Sequence, residues 1–128
     1  LGDVYKRQFY EVFIKEKQVG FEAVKAEYEA LAKANENSWR ILFSIANVFS
    51  YNEYFKEAIQ MWQKTFDCMP KPRYTDSFEA MAQCCVRMGD HESAVEYYKK
   101  ELELLREDWG LKYGAEVDAL EEKIRALQ

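Results

Sequence analysis

The stretch SWRILFSIANVFSYNEYFKEAIQMWQKTFDCMP, residues 38–70, decides how the chain is read. In its first half Ile41, Leu42, Ile45, Ala46 and Phe49 recur at steps of three and four, which brings them to one face of an α-helix. Asn52 and Glu53 mark a turn. Phe55, Ala58, Ile59, Trp62 and Phe66 then repeat the spacing up to Pro70-Lys71-Pro72, a segment that cannot continue a helix. Ser38 stands where a hydroxyl can accept from free first-turn amides, so the stretch reads as two helices in a hairpin, the first capped by Ser38.

The same reading extends in both directions. Downstream, Thr75 or Asp76 can cap a helix carrying Phe78, Met81, Ala82, Cys85 and Val86, closed by Gly89. After Asp90, the residues Ala94, Val95, Tyr98, Leu102 and Leu105 predict a helix running to about Asp108, the longest of the chain. Beyond Trp109-Gly110 and Gly114, Val117, Leu120, Ile124 and Leu127 form the stripe of a terminal capping helix, with Glu121, Glu122 and Arg125 facing water. Upstream, Phe21, Val24, Tyr28 and Leu31 predict a helix ending near Asn35 to Asn37. Phe9, Val12 and Phe13 predict a shorter one ending near Gln18 and Gly20. Residues 1–8 open without methionine and lack this pattern, so they are set apart as a scar or a disordered lead and given no function.

Self-comparison adds a period. Ala58 to Gln63 and Ala94 to Lys99 hold the same place in two helix-turn-helix units 36 residues apart, and Val24 lies 34 residues before Ala58. A period in the thirties signals a helical repeat. With Leu42, Ile45, Ala46 and Phe49 on the first helix and Ala58, Trp62 and Pro70 on the second, residues 38–70 resemble a tetratricopeptide repeat (TPR). Residues 75–108 match through Phe78, Met81, Ala82, Cys85, Ala94 and Tyr98, although Arg106 replaces the proline and two extra residues lengthen the preceding loop. Residues 9–35 match only at Val12, Val24 and Tyr28, a degenerate repeat, and 113–127 supply the cap. The resemblance implies an all-α, right-handed TPR-like solenoid of about three helix pairs plus a capping helix, all within one domain spanning 9–128. Small residues at Ala46, Ala58, Ala82 and Ala94 suit it physically, because they let paired helix axes approach.

In peptide-binding members of that family the first helix of each pair lines a concave groove. The resemblance therefore implies ligand-binding positions at Arg40, Phe43, Asn47, Ser50 and Tyr51, and at Asp76, Glu79, Ala80, Gln83 and Arg87 in the next pair. Asn47 matches an asparagine that the family uses to hold an extended peptide backbone, as a planar amide can donate and accept at once. The lysines with which some members grip an acidic chain terminus are missing: Phe43 and Glu79 stand in such places. The groove then suits a protein or peptide with apolar anchors and a basic residue. The same side chains would equally make an ordinary solvated surface. More narrowly, Lys71 to Asp76, Met88-Gly89-Asp90 and Glu107 to Gly110 resemble the helical C-terminal region of some bacterial helix-turn-helix regulators, which would make this chain the sensor half of a longer protein.

Composition narrows the remaining choices. Across 128 residues, 48% are hydrophobic and 32% charged, enough apolar surface to offset the entropy of ordering one domain. A net charge of −5 with no basic cluster argues against nucleic acid. No apolar run approaches the roughly 20 residues that span a bilayer, so no membrane partner and a cytoplasmic location are expected. Cys68, Cys84 and Cys85 read as reduced structural thiols, with Cys84 and Cys85 on different sides of their helix. His91, alone of its kind, has no nucleophile beside it, and no paired metal ligands appear. Glu101, Glu103, Glu107 and Asp108 are expected along solvated faces, with Glu96–Lys100 and Glu121–Arg125 as surface pairs. Glycine-rich phosphate loops and nucleophile elbows are absent, so the expectation is a non-catalytic module that needs no cofactor or metal. A scaffold that self-associates as a homodimer is the alternative.

Overall fold

The computed structural model describes residues 2–128, with side chains from residue 4 onward. Among these residues the chain is all α-helical: α1 (Gly2–Val19), α2 (Phe21–Ala34), α3 (Trp39–Tyr51), α4 (Phe55–Cys68), α5 (Asp76–Arg87), α6 (His91–Trp109) and α7 (Ala115–Leu127). They fall into two compact units, residues 1–68 and 69–128.

In the first unit α1 pairs with α2 and α3 pairs with α4, and α3 also touches both α1 and α2. The core is aromatic. Phe21 meets Phe49 edge-on with ring centroids 5.3 Å apart, and Tyr28 and Tyr54 pack around the pair. Both phenols turn their hydroxyls outward, Tyr28 donating to Glu16 at 2.7 Å and Tyr54 to Glu22 at 2.5 Å, so the Tyr28 ring is buried, and the Tyr54 ring partly covered, without stranding a donor. Val24, Ile45, Ala46 and Ala58 are sealed from solvent, and Trp62 nearly so. Each large apolar side chain removed from water in this way contributes about 2 kcal/mol.

Helix α1 is longer than its apolar pattern. It takes in residues 2–8, expected to be disordered, because no proline or glycine lies between Asp3 and Val19 and elongation adds one hydrogen bond per residue once a helix exists. Ser38 does occupy the N-cap position of α3, but its hydroxyl makes no capping bond; Ser38 N–H donates to the Asn35 carbonyl instead. Thr75 similarly precedes α5 without a side-chain cap, its backbone being helical rather than extended.

In the second unit α5 and α6 form a hairpin and α7 lies along α6. Gly89 turns the chain with φ 79°, and Asp90 caps α6 by accepting from Ser93 N–H at 3.1 Å. The core is smaller and softer: Met81, Ala82, Cys84, Cys85, Ala94, Val95 and Tyr98, closed by Leu105, Leu120 and Ile124. Cys84 and Cys85 are both buried, since neighbouring α5 positions are covered on two flanks, whereas Val86 is exposed. Burial pushes the Cys85 thiol up to about 11, with Asp90 and Cys84 adding to it, which leaves it an unreactive thiol. At the end of α6, Gly110 takes the left-handed conformation (φ 65°) and Leu111 N–H returns to the Leu105 carbonyl at 3.0 Å.

The segment before α5 is fastened to the end of α6. Arg73 donates to Asp108 three times, from its backbone N–H at 2.9 Å, Nε at 2.7 Å and Nη2 at 3.0 Å. Trp109 Nε1 donates to the Arg73 carbonyl at 2.6 Å, and its ring lies against Tyr74. Two of the three motifs behind the narrower resemblance, Lys71 to Asp76 and Glu107 to Gly110, thus meet. The Asp108 side chain is 1% exposed, and its hydrogen bonds from Arg73 hold the carboxyl down at about 2. Asp108 is therefore not on a solvated face: its partner lies 35 residues away, beyond any helical spacing rule.

Candidate functional site

The expected ligand-binding residues of the first unit lie along one stripe of α3, because positions 40, 43, 47, 50 and 51 follow steps of three and four or adjoin one another. Arg40 and Phe43 line a cleft of about 390 Å³ between α1 and α3, together with Phe9, Tyr10, Trp39 and Ser44. The Arg40 guanidinium sits 4.7 Å from the Trp39 ring, and Phe43 leans on Trp62 with centroids 6.4 Å apart. Stacking of this kind holds a cation over an aromatic face and leaves its N–H edges available. Asn47 and Tyr51 are exposed, Tyr51 by 82%, and Ser50 is half-buried; none of these three lines the cleft.

The lining of this cleft carries Lys6 and Arg40 and no carboxylate. Sequence reasoning missed the contribution of α1. Phe9 and Tyr10 are consecutive, and nothing in a period shows that both would turn towards α3.

In the second unit Glu79, Gln83 and Arg87 follow one face of α5. Gln83 and Arg87 are exposed, and Gln83 Nε2 donates to Glu79 Oε1 at 3.3 Å. Glu79 also faces Lys123 of α7 at 3.6 Å. With Glu101, Glu116, Leu105 and Leu120 it lines a recess of about 200 Å³ between α5, α6 and α7. Glu101, expected on a solvated face, is only 6% exposed, and its Oε1 has no hydrogen-bond partner. Burial first, and then the negative charge of Glu79, raise its carboxyl to about 7. A position on α6 that would face water in an isolated hairpin is roofed by α7. Asp76 belongs to an adjoining cleft of about 360 Å³ with Trp109 and Leu111.

Elsewhere, Arg125 pairs with Glu122 at 2.6 Å rather than with Glu121. Among the described residues no group of three or more His, Cys, Asp and Glu could hold a metal ion. No described helix is long and apolar enough to cross a membrane. These features define an all-helical chain of helix hairpins. No protein-family model matches the chain, and no curated protein matches it.

Proposed function

We propose that the hairpins are tetratricopeptide-like units of a helical repeat, and that the chain is a non-catalytic binding module that holds a protein or peptide segment on first-helix faces. One observation carries this reading: the cleft between α1 and α3 gathers Phe9, Tyr10, Trp39 and Phe43 around the Arg40 guanidinium. Aromatic side chains and arginine are the residue types that concentrate binding energy at interfaces, the aromatics because they offer large area at small entropic cost and arginine because its planar fork makes several hydrogen bonds at once. Burial of Ala46, Ala58, Ala82 and Ala94, each fully covered, supports the repeat assignment through close helix approach. The partner suited to the cleft is a segment with an aliphatic or aromatic anchor next to an acidic residue.

Selection of displayed peptides against the whole chain tests this. The expected outcome is enrichment of an apolar anchor beside Asp or Glu. Binding should fall about tenfold or more with Arg40→Glu and with Phe43→Ala, while circular dichroism stays unchanged. Selected peptides that bind both variants as tightly as the wild type would overturn the reading.

A further inference from the structure

The recess of the second unit has a composition that its packing does not explain. A core position on α6 would normally be apolar, yet Glu101 fills it, nine-tenths buried and with Oε1 unpartnered. Leaving a buried carboxylate oxygen unmatched is costly, so its persistence at the floor of an opening points to a group that enters. The rim adds Glu79 from α5 and Glu116 from α7, and the walls are the apolar Leu105 and Leu120. Lys123 is the one cation in the lining, but it lies against Glu79 at 3.6 Å and over the Tyr98 ring at 5.6 Å. It is 45% exposed. Three carboxylates therefore face a single ammonium.

We propose that the recess between α5, α6 and α7 binds an organic cation, an ammonium or guanidinium carried on a short aliphatic chain, with Glu101 as the buried anion that receives the head. Leu105 and Leu120 flank the stem, while Glu79 and Glu116 neutralise the remaining charge at the mouth. The chemistry is shared by a free alkylamine and by a lysine or arginine side chain of a peptide. About 200 Å³ accommodates one such chain and excludes a folded element.

The groups facing Glu101 set how the site responds to pH. Glu79 and Asp76 from α5, and Glu116 from α7, disfavour its ionised form; Lys123 from α7 favours it, and Tyr98 on α6 is neutral in this range. An incoming cation supplies the missing counter-charge, so binding draws the Glu101 proton off and tightens as pH rises through about 7. The site is independent of the α3 cleft, since none of its residues lies on α1 or α3.

Carbon-13 NMR of the glutamate side-chain carboxyls in the full chain reads the site directly. Titration with n-butylammonium and n-butylguanidinium at about pH 8 should give a saturable shift at Glu101, at least about threefold tighter than at about pH 6. Glu101→Gln should weaken binding about tenfold or more, and Phe43→Ala should leave it unchanged. A capped alanine peptide with one central arginine identifies the source. Binding of that peptide, but not of its glutamine counterpart, assigns a peptide side chain; binding of the small cations alone assigns a free amine. Either result upholds the cation site. If Glu101→Gln does not fold, Glu79→Gln and Glu116→Gln together should weaken binding severalfold with helicity retained. The absence of a saturable Glu101 shift with every probe at about pH 8, or equal binding by the glutamine variants, would overturn the proposal.

Discussion

The two units stabilise themselves by different means. In residues 1–68 the interior is built from aromatic rings, and the polar atoms of Tyr28 and Tyr54 reach carboxylates at the edge. In residues 69–128 the apolar side chains are smaller, and charge is taken inside: Asp108 fully engaged by Arg73, Glu101 left without a partner for Oε1. Burying an uncharged ring brings area without a proton equilibrium of its own at neutral pH, whereas buried carboxylates tie stability to their protonation. Opposite behaviour towards truncation and towards pH follows from that difference.

The sharpest break of the first unit is Trp62→Ala. Trp62 is 2% exposed, and its loss should cost about 3–5 kcal/mol in chemical denaturation, the range for truncating a buried aromatic ring. A cost below about 1 kcal/mol would mean that Trp62 does not hold α3 to α4. In the second unit Ala94→Leu tests close helix approach: overpacking a fully covered alanine between α5 and α6 should destabilise by about 1–3 kcal/mol. A neutral result would remove the argument from small residues there.

Two carboxylates sharpen the comparison through pH. The folded-state carboxyl of Glu101 stands at about 7 against an ordinary 4.5, so folding takes up a proton between these values. Stability from this group is complete below 4.5 and lost as pH rises through about 7. Glu101→Gln should therefore gain up to about 3 kcal/mol relative to wild type at about pH 8 and little at about pH 4, read from paired denaturation curves. Asp108 has the opposite sign. Its carboxyl is held at about 2 against an ordinary 3.8, so its contribution is present above the ordinary value and lost as pH falls towards 2. Asp108→Asn should flatten the acid limb of unfolding, and an unchanged limb would refute the fastening by Arg73. The smallest effect belongs to Arg125→Ala: its pairing with Glu122 is exposed to solvent on both sides, so the denaturation midpoint should hardly move.

Much of the local structure was legible because it depends on neighbours in sequence. The apolar steps of α2 through α7, the break at Pro70-Lys71-Pro72 and the glycine turns at Gly89 and Gly110 each involve a few consecutive residues. The site was legible only in part. Arg40 and Phe43 do line a cleft, but Asn47, Ser50 and Tyr51 do not, and the α1 side chains that complete it carry no periodic signal towards α3. Glu101 reads as one more surface glutamate in a run of acids, because the residues that bury it belong to α7.

The sequence by itself determined the helices from Phe21 onward, their approximate ends and which alanines are buried, since hydrophobic period and helix breakers act over one or two turns. Only the tertiary structure decided which charges lie inside. Asp108 found Arg73 across 35 residues, and Glu101 lost its water to a helix that begins at Ala115. Burial and counter-charge are properties of what packs against a side chain, and no spacing rule within one helix can report them.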